Sequence, residues 1–415
     1  MKKLNKNIIL SAISMGANFL LPLIAFPFLS NALGTNAFGK FAIAQAITIF
    51  LVQIVDFGFI LVAAREVALA QKNSEISKIY SKIQNTRALL ACLTLLLIIL
   101  LFILKIPPIE GHLFLAISVP AIIGSVFQAT WLFHGKSYFA WLATSNLLSK
   151  LCFLAIVVFF IESENDLFLA GFAFGCTYLI GGAVLLYATL KMRIAWYFKV
   201  SIIEYKENLA NSMRSFLSLS LLGFHSQIVV ALTGAYVGSA AAGLLLITDR
   251  VIRSVSALGI PLANALFPLL SEQHNNDQNS SEKLRKYALI TLLTLSTVGA
   301  GTIFIAADYI AQLMLPNNED DLALMLRIAA PTPIFIAIGV IYGGLTLVPS
   351  GNDKSYFQSI LVSEIIALTT FVTILNIAPL FSGIAAMIAA EISLAIFMFI
   401  AVRIYISKKT RKNYV

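Results

Sequence analysis

Apolar residues run through this chain in stretches of about 20, long enough to cross a hydrocarbon core ~30 Å thick as α-helix, with short polar breaks between them. The pattern predicts twelve spans, near 8–33, 40–63, 86–105, 112–134, 141–161, 167–190, 213–236, 240–270, 287–311, 322–348, 356–378 and 382–405. No soluble domain fits between them, so the expected class is all-α and integral to a membrane. The first 29 residues imitate a signal peptide with their basic start. The apolar run is too long for that and carries Pro22 and Pro27, so it reads as the first span.

The spans pair across the chain. The turn before the second span reads ALGTNAFGKFAIAQAI, with Gly34 and Gly39 five apart, and the turn before the eighth reads YVGSAAAGLLLITDRV, with Gly238 and Gly243 at the same spacing. This register sets Gln45 against Asp249. The tetrapeptide KSYF opens the fifth span at Lys136 and the eleventh at Lys354, and the same offset sets Ser145 against Ser363, Asn146 against Glu364 and Phe153 against Phe371. A four-letter match is weak as a string, but its position six spans apart is informative. The expected architecture is two pseudo-symmetric six-helix lobes around a central cavity, residues 1–190 and 213–405. A cytoplasmic linker at 191–212 joins them, and a basic tail follows at 406–415. An even number of spans per lobe gives both the same orientation, an arrangement that suits a transporter. In the linker, Trp196, Tyr197 and Phe198 beside Lys191, Arg193 and Lys199 predict a segment lying on lipid headgroups.

Composition agrees: 59% of the 415 residues are hydrophobic and 12% charged, with a mean hydropathy of +0.89. The net charge of +9 reports topology rather than a nucleic-acid partner. With the N-terminus inside, most Lys and Arg fall in cytoplasmic segments, while the outward loops hold Glu110, Glu162, Glu164, Asp166, Glu319, Asp320 and Asp321. The three cysteines, Cys92, Cys152 and Cys176, lie inside spans without metal or redox spacing and read as packing residues. The four histidines are scattered. His225 alone falls within a span, as a core histidine, and nothing forms the acid–base pair of an enzyme. No cofactor or metal is expected.

Ionisable residues inside the spans are costly and mark candidate sites. The eighth span, LLLITDRVIRSVSALGIP, places Asp249 and Arg253 four apart on one helical face, with Arg250 about 100° away and one turn from Arg253. Guanidinium groups take phosphate oxygens in pairs, so Arg250 and Arg253 are the first candidates for an anionic headgroup. Lys150 is the main cation of the first lobe. Arg327 lies near the outer surface and ranks below it, and Gln45, Gln128 and Asn18 are candidate polar lining. Asp56, Asp249, Glu364 and Glu391 are the carboxylates available to a coupling ion, H+ or Na+. The bland reading of the eighth-span group is helix-to-helix adhesion.

The stretch NFLLPLIAFPFLSNALGTNAFGKFAIAQAI, with IVDFGF and WLFHGKSYFAWLATSNLLSKL after it, resembles the Wzx-type O-antigen flippases of the polysaccharide transporter group. The resemblance implies a MATE-like fold of twelve helices in two lobes. It also implies an undecaprenyl-pyrophosphate-linked oligosaccharide moved from the cytoplasmic to the periplasmic leaflet of a bacterial inner membrane. An O-antigen polymerase and a chain-length regulator would be partners in the same pathway, beside membrane lipid. Two other readings stand against it. An ion-coupled exporter of cationic drugs would want an acidic rather than a basic cavity. A membrane glycosyltransferase or polymerase would carry a large outward loop, and every outward loop here is short.

Overall fold

The computed structural model describes residues 2–104, 111–198, 202–260, 262–263, 266, 278–316 and 319–413, and over these the chain is helical with no strand. Lys105, Glu110, Lys199, His274 and much of the far half of the expected eighth span lie outside the described residues. Cα packing divides the chain into two compact units, Met1–Gly243 and Leu244–Val415.

In the first unit, α1 (Lys2–Asp56) carries the first two expected spans as one helical stretch, broken at Gly34, where φ is 72° and ψ 167°. Glycine adopts that conformation without the clash a Cβ would bring. Gly39 has a different task. A Cβ there would stand 1.8 Å from the Ser239 carbonyl oxygen, so the backbone at the start of α9 (Ser239–Ala257) lies directly on α1. Gly243 rests on the backbone of Gly39, and the Ser239 hydroxyl donates to Asn36 Oδ1 at 2.6 Å. Gly238 has φ 124°. The first glycine of each matched pair therefore takes a positive φ, and the second permits backbone contact.

After Phe57 and Gly58, both at positive φ, the chain enters α2 (Phe59–Leu69). The Phe57 ring stacks on Phe216 of α8 (Ile202–Tyr236) at 4.4 Å. The next helix, α3 (Asn73–Ile103), starts well before the span expected from residue 86. Its early turns carry Asn73, Ser77, Ser81 and Asn85 at four-residue spacing, one face of a helix. That stripe receives the backbone of residues 192–197, a turn at Met192 and Arg193 followed by non-helical chain. The Ala195 N–H donates to Ser77 Oγ at 3.0 Å, the Tyr197 N–H to Ser81 Oγ at 2.8 Å, and Asn85 Nδ2 to the Tyr197 carbonyl at 2.8 Å. Trp196 Nε1 donates to Asn85 Oδ1 at 2.8 Å, with its ring edge-on to Tyr80 and Phe127. Of the three aromatics in this segment, one turns onto the protein. Trp196 is spent on the protein, while Tyr197 and Phe198 stay exposed. The far half of α3 presents Leu93, Leu96, Leu100 and Ile103 outward, and Cys92 is exposed rather than packed. Apolar side chains on an outer face need a lipid solvent.

The following helix is interrupted: α4 (Gly111–Phe127) ends, Gln128 and Ala129 are non-helical, and α5 (Thr130–Gly135) resumes. Two long helices follow, α6 (Phe139–Phe160) and α7 (Leu167–Lys191). Contact between α4 and α7 is close because Gly124 meets the backbone at Tyr178 and Gly175 meets the Ile117 carbonyl, the small-residue packing by which helices associate in lipid.

Among the described residues the second unit holds the rest of α9 and six further α-helices of eight residues or more. These are α10 (Gln278–Ile305), α11 (Ala307–Met314), α12 (Glu319–Ala329), α13 (Thr332–Gly339), α14 (Asp353–Leu375) and α15 (Ser382–Asn413). The expected tenth span is thus broken at Pro331 and continues past Gly339 as a π-helix over Val340–Leu347. The Thr346 hydroxyl donates to the Ile341 carbonyl at 2.8 Å there. Among the described residues nine helical stretches are long and apolar enough to cross a bilayer, or ten with the bent pair Ile202–Leu221 and His225–Tyr236. The first, Ile13–Leu69, is 57 residues long with Gly34 inside it, about 85 Å of helix. That length suffices for two crossings. Of the pairs aligned by the KSYF offset, Ser145 with Ser363 and Phe153 with Phe371 are buried at both members, whereas Asn146 is half-buried and Glu364 buried.

Candidate functional site

The densest charged group lies on α9, and the structure adds a third member from α15. Arg253 Nε donates to Asp249 Oδ1 at 2.7 Å, the expected one-turn pair, and a terminal nitrogen of Arg253 stands 3.6 Å from Glu391 Oε1. Asp249 and Glu391 are buried, with side chains 7% and 9% exposed, and Arg253 is 26% exposed. The three line a small cavity of about 10 Å³, walled by Ile252, Ile336, Ile384, Met387 and Ile388. That is space for about one water-sized group. Thr332, at the start of α13, also lines it, and its buried hydroxyl has no hydrogen-bond partner among the described residues. Two carboxylates thus share one guanidinium, and an oxygen ligand faces the same space. Charges removed from water need such pairing, and each carboxylate holds the arginine against any competing anion.

The remaining predicted residues are distributed. Arg250 is half-buried on α9, where the Ser254 hydroxyl donates to its carbonyl at 2.7 Å. Glu364, on α14, is buried and belongs with Asp249 and Glu391 among the carboxylates whose charge Arg253 feels. Arg327 is exposed and pairs with Asp308 of α11 at 2.5 Å, as a surface anchor would. In the first unit, Lys150 of α6 is half-buried, its ammonium 5.5 Å from the Phe174 ring and 5.9 Å from that of Tyr178. This cation–π placement favours a charge in apolar surroundings. Gln45 is fully buried, and Asn18 is half-buried on α1. Gln128 Nε2 donates to the Tyr178 carbonyl at 3.1 Å, and His225 is buried.

Asp56 has a partner on α3. Arg87, well inside α3 and only 1% exposed, forms an ion pair with Asp56 Oδ1. The same guanidinium donates to the carbonyls of Ser125 at 2.7 Å and Gln128 at 3.2 Å. These carbonyls lie at the α4–α5 break, where each also accepts one backbone N–H, Ser125 from Gln128 and Gln128 from Thr130, so the guanidinium takes their remaining lone pairs, and the negative end of α4 favours a cation there. The signal available in sequence was the polar run QNTR entering the apolar stretch. It marks a helix that begins earlier and carries Arg87 inward. Among the described residues no group of three or more His, Cys, Asp or Glu could hold a metal ion.

The family model for polysaccharide biosynthesis proteins matches residues 4–274, more than half of the chain. The chain belongs to this family. It is also similar, along nearly its whole length, to two curated relatives, each named "Putative O-antigen transporter". That of Escherichia coli K12 is 26% identical over 96% of this chain and 97% of the relative, and that of Shigella dysenteriae is 26% identical over 96% and 100%. Among solved structures, an inward-facing multidrug resistance MATE family transporter of the MOP superfamily superposes with TM-score 0.80. It is 13% identical and covers 98% of this chain and 99% of that one. A eukaryotic MATE transporter gives 0.70 at 16% identity, over 97% and 95%. At such identities the likeness establishes the fold, a multi-pass MATE-type membrane architecture. The expectation of a membrane transporter rather than an enzyme agrees with how the relatives are named.

Proposed function

We propose that this chain is a flippase for undecaprenyl-pyrophosphate-linked O-antigen oligosaccharide, carrying it from the cytoplasmic to the periplasmic leaflet of the inner membrane. Twelve spans in two six-helix lobes, residues 1–190 and 213–405 with both termini cytoplasmic, would alternate in access. The names of the relatives and the MATE-type fold support transport. The observation that carries the mechanism is Arg253 set between Asp249 and Glu391.

In this reading the pyrophosphate and the two carboxylates compete for one guanidinium. A proton or sodium ion taken by Asp249 or Glu391 releases Arg253 to the phosphate oxygens, assisted by Arg250 and Lys150. Loss of that ion returns Arg253 to its carboxylates and expels the anion. Each ligand then shifts the equilibrium by its preference for one state. Asp56, with its own arginine, stands outside this exchange, and Glu364 is a further carboxylate on the same unit.

The carboxylate surplus around Arg253 also favours a second reading, an ion-coupled exporter of cationic compounds. Complementation of a flippase-deficient strain separates the two. Restored O-antigen display supports the first, while drug resistance without display supports the second.

A further inference from the structure

The first unit holds a second cavity, of about 130 Å³, lined by Gln53, Asp56, Gly58, Ile60, Thr130, Trp131, Leu219 and Ser220. It lies where α1 ends, α5 begins and α8 passes. Its polar groups are unusual in what they lack. Trp131 is 2% exposed and lines the cavity, yet its indole N–H has no hydrogen-bond partner among the described residues. The buried amide oxygen of Gln53 has none there either. Leaving such groups unmet costs about 1–3 kcal/mol each, so a partner absent from the protein itself is the economical explanation.

The charge balance selects the kind of partner. Asp56 is half exposed, with one carboxylate oxygen held by the buried Arg87 and the other available to a donor. The pair is neutral as a unit, which disfavours both a cation and an anion. What remains is one indole donor, an amide, a carboxylate acceptor and the hydroxyls of Thr130 and Ser220. These are fixed donors and acceptors for a neutral, hydroxyl-rich ligand.

We propose that this cavity is a sugar subsite, in which Arg87 positions Asp56, and Gln53, Asp56 and Trp131 read hydroxyls of a neutral sugar residue. The choice of a sugar rests on the flippase reading above. By the distribution of Lys and Arg this end of α1 faces the cytoplasm, the side from which cargo would be loaded.

The test uses the full chain in nanodiscs and saturation-transfer NMR with free neutral hexoses, 6-deoxyhexoses and N-acetylhexosamines, with farnesyl pyrophosphate as a sugar-free control. Saturable transfer to at least one sugar is expected, unaffected by farnesyl pyrophosphate and weakened about tenfold by Gln53→Leu. Asp56→Asn should weaken it further. Gln53→Leu leaves the Asp56–Arg87 pair intact, so it remains informative if Asp56→Asn fails to fold. Three results would each overturn the subsite: no transfer to any sugar, unchanged affinity in Gln53→Leu, or displacement by farnesyl pyrophosphate. Translocation by the same preparation without a sugar response removes the subsite and leaves the flippase. A sugar response without translocation keeps the subsite and removes the flippase.

Discussion

Arg253 donates through Nε to Asp249 at 2.7 Å and reaches Glu391, on a different helix, at 3.6 Å. The shorter contact is local, one turn along α9, and the longer ties α9 to α15. The two carboxylates therefore differ in what they fix. Asp249 orients the guanidinium, and Glu391 is the looser holder, the one that an incoming anion would displace more easily in the proposed exchange.

Glu391→Gln should accordingly strengthen binding of a polyprenyl pyrophosphate severalfold and abolish its dependence on proton or sodium concentration. Equilibrium binding to purified protein at varied pH and sodium measures this. Unchanged ion dependence in the variant would remove Glu391 from the exchange.

For the Asp56–Arg87 pair, the buried member decides the outcome. Asp56→Ala leaves Arg87 unpaired inside the unit and should destabilise by about 3–5 kcal/mol, whereas the double change with Arg87→Met should recover much of the loss. Thermal unfolding in detergent reads both. A double variant no more stable than Asp56→Ala would show that the pair is not the source of the cost.

Two glycines give opposite expectations. Gly39→Ala forces a Cβ to within 1.8 Å of the Ser239 carbonyl, and no side-chain motion relieves a clash with backbone. Monodisperse protein on size-exclusion chromatography should be lost. Gly301→Ala, inside α10 with nothing within 4 Å of the new Cβ, should raise stability by about 0.5–1 kcal/mol.

Docking of residues 192–197 on α3 is tested by proteolysis. Ser81→Ala with Asn85→Ala removes side chains that bond the backbone of that segment and the Trp196 indole. At about 1 kcal/mol for each bond lost, cleavage by trypsin at Lys191 and Arg193 should accelerate at least fivefold. Equal rates would mean the apolar contacts of Trp196 suffice.

What was legible in sequence follows the strength of the physical signal. Spans announced themselves because a bilayer demands long apolar helices. The Asp249–Arg253 pair was legible because helical spacing dictates it, and the paired glycines because reversals and close contacts need them. Glu391 joining Arg253 was not legible, since a residue 138 positions away shares no local pattern with it. The pairing of Arg87 with Asp56 was not legible because α3 begins at Asn73, before its apolar pattern does. Trp131 and Gln53 carry no sequence mark of an unmet hydrogen bond, and only three-dimensional packing reveals one.

The central claim is tested most directly by translocation of an undecaprenyl-pyrophosphate-linked oligosaccharide in proteoliposomes, read as accessibility of the sugar to a lectin added outside. The wild-type chain should move the lipid across the bilayer. Arg250→Gln combined with Arg253→Gln, which adds no third carboxylate and leaves Asp249 and Glu391 free to take protons, should insert and fold yet reduce the rate to that of empty liposomes. Translocation at the wild-type rate by that double variant would contradict the account.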